Sequence, residues 1–150
     1  MTPKKKYLST SFEFRVEFYD VDSMQVAWHG NYVKYMEVGR CELLKKINYQ
    51  YMDMEKSGFV WPVVDMHIRY LRPMTLLQRI RCEIKLVEYE FSLKLAYVFY
   101  DAETGTVLTK AETMQMAVNM ATKESCFVCP PVFVERVREV LKAEGIEEDR

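Results

Sequence analysis

The stretch Asn31-Tyr32-Val33-Lys34-Tyr35-Met36-Glu37-Val38-Gly39-Arg40-Cys41-Glu42-Leu43-Leu44-Lys45-Lys46-Ile47 decides the architecture. Tyr32, Tyr35, Met36, Gly39, Leu43 and Ile47 recur at helical spacing, while Lys34, Glu37, Arg40 and Lys45 fall largely off that stripe. The pattern predicts one amphipathic helix opened by Asn31, whose amide side chain suits a cap on an early N–H. Glycine inside a helix costs about 1 kcal/mol against alanine. Its place on the apolar stripe at Gly39 therefore predicts a close approach to another backbone.

Upstream, Ser11 to Phe18 alternates strictly. Phe12, Phe14, Val16 and Phe18 are apolar, and Ser11, Glu13, Arg15 and Glu17 are polar, the period of a half-buried strand. Tyr19 to Gly30 breaks that period and reads as a loop. Downstream of Gly58 four strands follow. Their apolar faces are Val64, Met66, Ile68 and Tyr70; Ile80, Cys82, Ile84 and Leu86; Phe91, Leu93, Leu95, Tyr97 and Phe99; and Met114, Met116, Val118 and Met120. Asp101, Glu103, Thr104 and Gly105 supply a hairpin turn between the last two. Pro130 and Pro131 open a C-terminal helix stopped by Gly145. Residues 1–150 thus read as one domain, with a polar arm over 1–9, a C-terminal helix over 130–145 and an acidic tail over 146–150.

The order β-α-β-β-β-β-α offers one helix with an apolar stripe and one antiparallel sheet with an apolar face. Wrapping the sheet around the helix buries both, an α+β architecture. One sheet leaves two edges, and open edges favour pairing with another chain. A homodimer or homotetramer follows as the expectation.

Composition narrows the class. A chain of 150 residues with formal net charge −1 lacks the basic balance of a nucleic-acid binder. An apolar fraction of 49% excludes disorder as a description of the whole chain. Eight Phe, ten Tyr and ten Met fit either a β-rich core or an apolar ligand pocket, and composition does not separate the two. Lys4, Lys5 and Lys6 are followed by no apolar signal region, and no run reaches the ~18 apolar residues of a membrane span. The expectation is a cytoplasmic protein whose Cys41, Cys82, Cys126 and Cys129 are free thiols. The Cys126-x-x-Cys129 spacing has no second pair and no nearby His, so no metal site is expected there.

The chemistry concentrates in Tyr19-Asp20-Val21-Asp22-Ser23-Met24-Gln25-Val26-Ala27-Trp28-His29-Gly30-Asn31-Tyr32. Two carboxylates and an imidazole sit in a loop that runs into a helix start. Such a start presents free N–H groups and a positive partial charge. A carbonyl oxygen placed there is polarised, and a developing oxyanion is stabilised. A nearby carboxylate can attack the carbonyl carbon or activate a water for that attack. This is the equipment for acyl transfer to water without a metal, a cofactor or a Ser or Cys nucleophile. Asp20 also fits a turn or cap, His29 a loop histidine bonded to a carbonyl, and His67 a structural residue on the strand face opposite Val64 and Met66. Ser23 lacks a nucleophile elbow.

Asp20-Val21-Asp22, Val26, Trp28-His29, Asn31-Tyr32, Tyr35-Met36-Glu37 with Arg40, and Tyr70-Leu71-Arg72-Pro73 together resemble the hotdog-fold thioesterases. The likeness is to the branch of 4-hydroxybenzoyl-CoA thioesterases and the acyl-CoA thioesterases associated with the Tol-Pal system, and it covers residues 10–125. The resemblance implies a hotdog fold, with a five-stranded antiparallel sheet around a central helix. It also implies dimers or dimers of dimers with sites at the subunit interface. It matches the catalytic carboxylate to Asp22 and the loop histidine to His29, and it puts the carbonyl-polarising amides near Asn31 and Tyr32. Many relatives carry a small Ala-Gly-type pair where this chain has Ser23-Met24-Gln25, a departure that bears on the acyl pocket.

Three functions compete at this stage. The first is an acyl-CoA thioesterase that releases a free carboxylic acid and CoA. The second uses an acyl carrier protein as the carrier, which calls for a basic docking surface. The third is a non-catalytic acyl or acyl-CoA binding module. A pure binder gains little from a carboxylate beside a carbonyl, so Asp22 and His29 favour an enzyme. Arg69, Arg72, Arg79, Arg81 and Lys123 have the chemistry to hold CoA phosphates, and nothing singles one out.

Overall fold

In a computed structural model that describes residues 6–148, five antiparallel strands curl around one helix. In chain order the elements are β1 (Leu8–Arg15), a 3-10 turn (Phe18–Asp20), α1 (Asn31–Lys46), α2 (Tyr51–Lys56), β2 (Phe59–Val60), β3 (Val63–Tyr70), β4 (Arg79–Glu88), β5 (Leu93–Asp101), β6 (Val107–Gln115), β7 (Val118–Asn119) and α3 (Pro131–Ala143). The sheet order is β1-β4-β5-β6-β3, and β2 pairs with β7 in a small second ribbon. This is the hotdog arrangement, with α1 as the long central helix.

The apolar periods explain the core. Tyr32, Tyr35, Met36, Gly39, Leu43 and Ile47 are all buried, as the stripe predicts. They meet Ile80, Cys82, Ile84 and Leu86 of β4 and Leu93, Leu95, Tyr97 and Phe99 of β5, also buried. A Cβ on Gly39 would lie 2.9 Å from two Ile84 side-chain carbons and 3.1 Å from Phe12. The close approach is real, but it is made to side chains of β4 and β1 rather than to bare backbone.

The structure corrects several expectations. On β6 the inward residues are Thr109, Ala111, Thr113 and Gln115, all buried, while Met114 is only partly covered. Half of this polar inward ladder is satisfied: the Tyr97 and Thr113 hydroxyls meet at 2.8 Å, and Gln115 Nε2 donates to the Trp61 carbonyl at 2.7 Å, while Thr109 Oγ1 and Gln115 Oε1 are buried with no partner among the described residues. On β3 a bulge between Val63 and Asp65 puts Val63, opposite inward Gln115, on the face with Met66, Ile68 and Tyr70. Phe18 and Phe91 fall outside the strands and are exposed. β1 begins at Leu8, so residues 8 and 9 belong to the sheet and not to the arm, whose first five residues lie outside the described ones. The C-terminal helix runs Pro131–Ala143, inside the expected range. In the expected acidic tail, Ile146 is buried, and residues 149–150 lie outside the described ones.

α3 closes one end of the core. Phe133 packs on Trp61 and Tyr49 at ring separations of 4.9 and 5.8 Å, and Lys46 bridges to Glu144 at 2.8 Å. The opposite end, where α1 starts, is left to the loop after β1.

Candidate active site

The loop from Glu17 to Gly30 is tied by its own backbone. The Asp20 carboxylate accepts the Glu17 amide at 2.9 Å, closing a capping box on the 3-10 turn. The Asp20 carbonyl accepts the Trp28 amide at 2.9 Å and the Asn31 side-chain amide at 2.7 Å. Asp20 is therefore the turn and cap residue, and Asn31 is a buried strut across the loop mouth. Asn31 does open the helix, but its side chain reaches back to the loop instead of capping; the N-cap is Gly30, without a side-chain bond.

Asp22 sits at the loop's tip, partly exposed. Its amide donates to the Val26 carbonyl at 3.0 Å, and its own carbonyl accepts from Gln25 at 2.9 Å. Its Oδ1 accepts the Met24 amide at 2.8 Å, an Asx turn that Gln25 completes with φ 61°. Oδ2 takes no hydrogen bond among the described residues. The carboxylate is held by one oxygen and open at the other. The loop is also clamped from outside: Ala27 donates to the Met74 carbonyl at 2.8 Å, and Val26 bridges to Thr75. The segment between β3 and β4 thus forms its floor.

At the helix start, the Asn31 N–H is spent on the Trp28 carbonyl at 2.9 Å. Of the two amides expected to face a carbonyl, that of Tyr32 has no backbone acceptor among the described residues. The Trp28 indole covers Gly30 so closely that a Cβ there would lie 2.2 Å from a ring carbon. Only glycine admits that contact. His29 is exposed, its ring 5.1 Å from that of Trp28. Tyr32 is buried, and burial raises its phenol above the usual value. Burial and the neighbouring Asp20 carboxylate push the Tyr35 phenol up further.

Two parts of the site escaped the sequence reading. Tyr70 donates from its hydroxyl to the His29 carbonyl at 3.0 Å and sets its ring edge-on to Tyr32 at 4.8 Å. In the sequence Tyr70 stands only within the Tyr70-Leu71-Arg72-Pro73 motif, and the fold shows that β3 ends beside the loop. Arg40, expected off the buried stripe, is only 5% exposed. Its Nε donates to the Tyr51 hydroxyl at 2.9 Å, and it is ion-paired with Glu37, which also accepts from Tyr51 at 3.2 Å. The helix α2 that brings Tyr51 there is too short to show a period. Glu37 is consequently an engaged carboxylate, unlike Asp22. His67 lies exposed on the outer sheet face, opposite Glu112. Among the described residues no group of three His, Cys, Asp or Glu side chains is placed to hold a metal ion.

Residues 16–141 match the model of the Thioesterase-like superfamily. The chain belongs to this superfamily. Among curated thioesterase-like relatives, a Bacillus subtilis protein named as a candidate acyl-CoA thioesterase, YneP, is 44% identical over 62 residues. That match spans 41% of this chain and 45% of YneP, less than half of either. A candidate esterase of Synechocystis, sll0410, is 28% identical over 124 residues, covering 82% of this chain and 75% of that one. Among solved structures, the DHNA-CoA thioesterase of Staphylococcus aureus superposes with a TM-score of 0.77 at 24% identity, covering 93% of this chain and 97% of that one. It shares the thioesterase-like fold. No helix among the described residues is long and apolar enough to cross a membrane.

Proposed function

We propose that the protein is an acyl-CoA thioesterase, hydrolysing a thioester to a free carboxylic acid and CoA. The observation that carries the reading is the Asp22 carboxylate, fixed through Oδ1 by the Met24 amide and open at Oδ2, on a loop that runs into the start of α1. A thioester carbonyl directed at the Tyr32 amide is polarised by that donor and by the helix dipole. Asp22 then either attacks the carbonyl carbon, expelling the CoA thiolate and forming a mixed anhydride that water hydrolyses to the free acid, or takes a proton from a water that attacks the same carbon and expels the thiolate; neither route needs a metal or cofactor. His29 positions the water or the thioester. The motif from Asp20 to Tyr32, with Glu37 and Arg40, supports a finer place in the branch of 4-hydroxybenzoyl-CoA and Tol-Pal-associated thioesterases. The name of YneP supports acyl-CoA as the substrate class. We read the protein as cytoplasmic and as a homodimer or homotetramer, the latter because the outer edges of β1 and β3 carry no strand.

The test is a released-thiol assay over a panel of aliphatic and aromatic acyl-CoA thioesters, with acyl-carrier-protein thioesters alongside. Turnover of acyl-CoA supports the proposal. Binding without thiol release would establish the binding module, and turnover confined to the carrier-protein thioester would move the function to that carrier.

A further inference from the structure

We propose that Cys126 and Cys129 form a thiol–disulfide exchange site, oxidised by a low-molecular-weight disulfide and closing as an intramolecular disulfide. Cys126 opens the exchange and Cys129 completes it. None of the residues proposed for thioester hydrolysis takes part.

The two cysteines flank an outward bend between β7 and α3. Phe127 is 76% and Val128 64% exposed at its crest. The cysteines turn the other way: Cys129 is 4% exposed within the core, and Cys126 is half-buried against it. Both are free thiols. Their backbones are anchored, the Cys126 amide donating to the Ala117 carbonyl and the Cys129 amide to the Glu90 carbonyl, each at 2.7 Å. A chain reversal of four residues sets its end Cα atoms within about 7 Å, the span that a disulfide bridges.

Exposure and ionisation divide the roles. The thiolate is the nucleophile in exchange, so the cysteine that solvent reaches starts it. That cysteine is Cys126. Burial first, then the Glu88 carboxylate, then charge at Cys126 push the Cys129 thiol up to about 12. The last of these causes puts the two sulfurs within electrostatic reach of each other. Pro130 and Pro131, next along the chain, have no N–H with which to hold a Cys129 thiolate. Cys129 is therefore a protonated thiol that waits for a disulfide to form beside it.

In the first step the Cys126 thiolate attacks one sulfur of oxidised glutathione, forming a mixed disulfide and releasing one glutathione thiolate. In the second, Cys129 loses its proton to water and its sulfur attacks that of Cys126. The ring closes, and the second glutathione leaves as a thiolate. The protein gives up two electrons and two protons, and the glutathione disulfide is reduced to two thiols. Proximity within the anchored bend offsets the small thiolate fraction of Cys129. The bend is already pinned at Ala117 and Glu90, and α3 stays seated through Phe133 on Trp61, so closure changes the thiols and keeps the fold.

Cys41 is exposed and Cys82 fully buried, so Cys41→Ser is introduced in every sample to leave the bend as the responding site. Folded protein is treated with oxidised glutathione and weighed by mass spectrometry, with circular dichroism on the same sample. The expected product keeps its spectrum, has lost two hydrogens, carries no glutathione and maps to a Cys126–Cys129 disulfide. Adding Cys129→Ala is expected to trap glutathione on Cys126, raising the bound amount at least about tenfold. Adding Cys126→Ser instead is expected to leave Cys129 unmodified. A stable adduct on Cys126 while Cys129 is present, a modified Cys129 in the Cys126→Ser protein, or a Cys126 that stays a thiol would overturn the site. The first measurement alters neither cysteine of the pair, so it decides even where Cys129→Ala fails to fold.

Discussion

The Tyr70 hydroxyl donates a 3.0 Å hydrogen bond to the His29 carbonyl, tying the last residue of the edge strand to the loop that ends at the helix start. Tyr70→Phe keeps the ring against Tyr32 and removes only this tether. A neutral hydrogen bond is worth about 1 kcal/mol, so kcat/KM is expected to fall about fivefold, with little change in melting temperature. Steady-state kinetics and a thermal melt on the same sample check it. An unchanged kcat/KM would remove Tyr70 from the positioning of the loop.

Gly30 lets the Trp28 indole lie on the backbone at the start of α1. Gly30→Ala places a methyl group where the ring now sits. The ring is expected to swing out, seen as a shift in the fluorescence of Trp28 against that of buried Trp61. Activity falls with it, because the loop closing on the helix start is re-aimed. Identical spectra and rates would mean that the contact does not shape the site.

Asp20 and Asp22 are expected to separate by readout. Asp20 accepts the Glu17 amide and serves the turn. Asp20→Ala should cost about 1 kcal/mol, as capping losses do, which is about 2–4 °C in melting temperature for a chain of this size. Its kcat should change far less than that of an Asp22 variant. A large kcat loss at unchanged stability would transfer the catalytic role to Asp20.

Several buried acids bear on alkaline stability. Burial pushes the Tyr97 phenol and the Cys129 thiol up to about 12, from ordinary values of 10.0 and 9.0, and raises Cys82 and Tyr35 as well. Below about pH 9 both folded and unfolded chains hold these protons, and their contribution is complete. From pH 9 towards 12 the unfolded chain releases protons that the folded one keeps, so stability falls as pH rises. The melting temperature should decline steadily above pH 9. Cys129→Ser has one proton fewer to lose and should decline less steeply. A flat profile to pH 11 would contradict the burial of these groups.

Much of this was legible in the sequence because period and burial coincide where an element has one wet face. The stripe from Tyr32 to Ile47 and the alternation from Ile80 to Leu86 located the helix and a central strand correctly. The reading failed on β6, where Thr109, Thr113 and Gln115 face inward and Met114 does not. There, side-chain hydrogen bonds replace hydrophobicity as the means of burial, and a hydrophobic period cannot see them. Arg40 was misread for the same reason: its partners Glu37 and Tyr51 make burial possible, and Tyr51 comes from a separate helix. In the site, local order along the chain showed two carboxylates in a loop before a helix start, and the choice of Asp22 between them came from the family resemblance. The tether from Tyr70 was not visible, because it joins residues 41 positions apart.

The central claim is that the open oxygen of Asp22 does the chemistry. Asp22→Asn retains a carbonyl oxygen for the Met24 amide, now at 2.8 Å, so the loop keeps its turn. It removes the charge needed to attack carbon or to accept a proton from water. The direct measurement is kcat for acyl-CoA hydrolysis by Asp22→Asn against wild type, with a thermal melt and acyl-CoA binding on the same preparations. A fall in kcat of at least ~100-fold is expected, the scale of a lost general base or nucleophile, with binding and melting temperature nearly unchanged. Hydrolysis within a few-fold of wild type would contradict the assignment of Asp22.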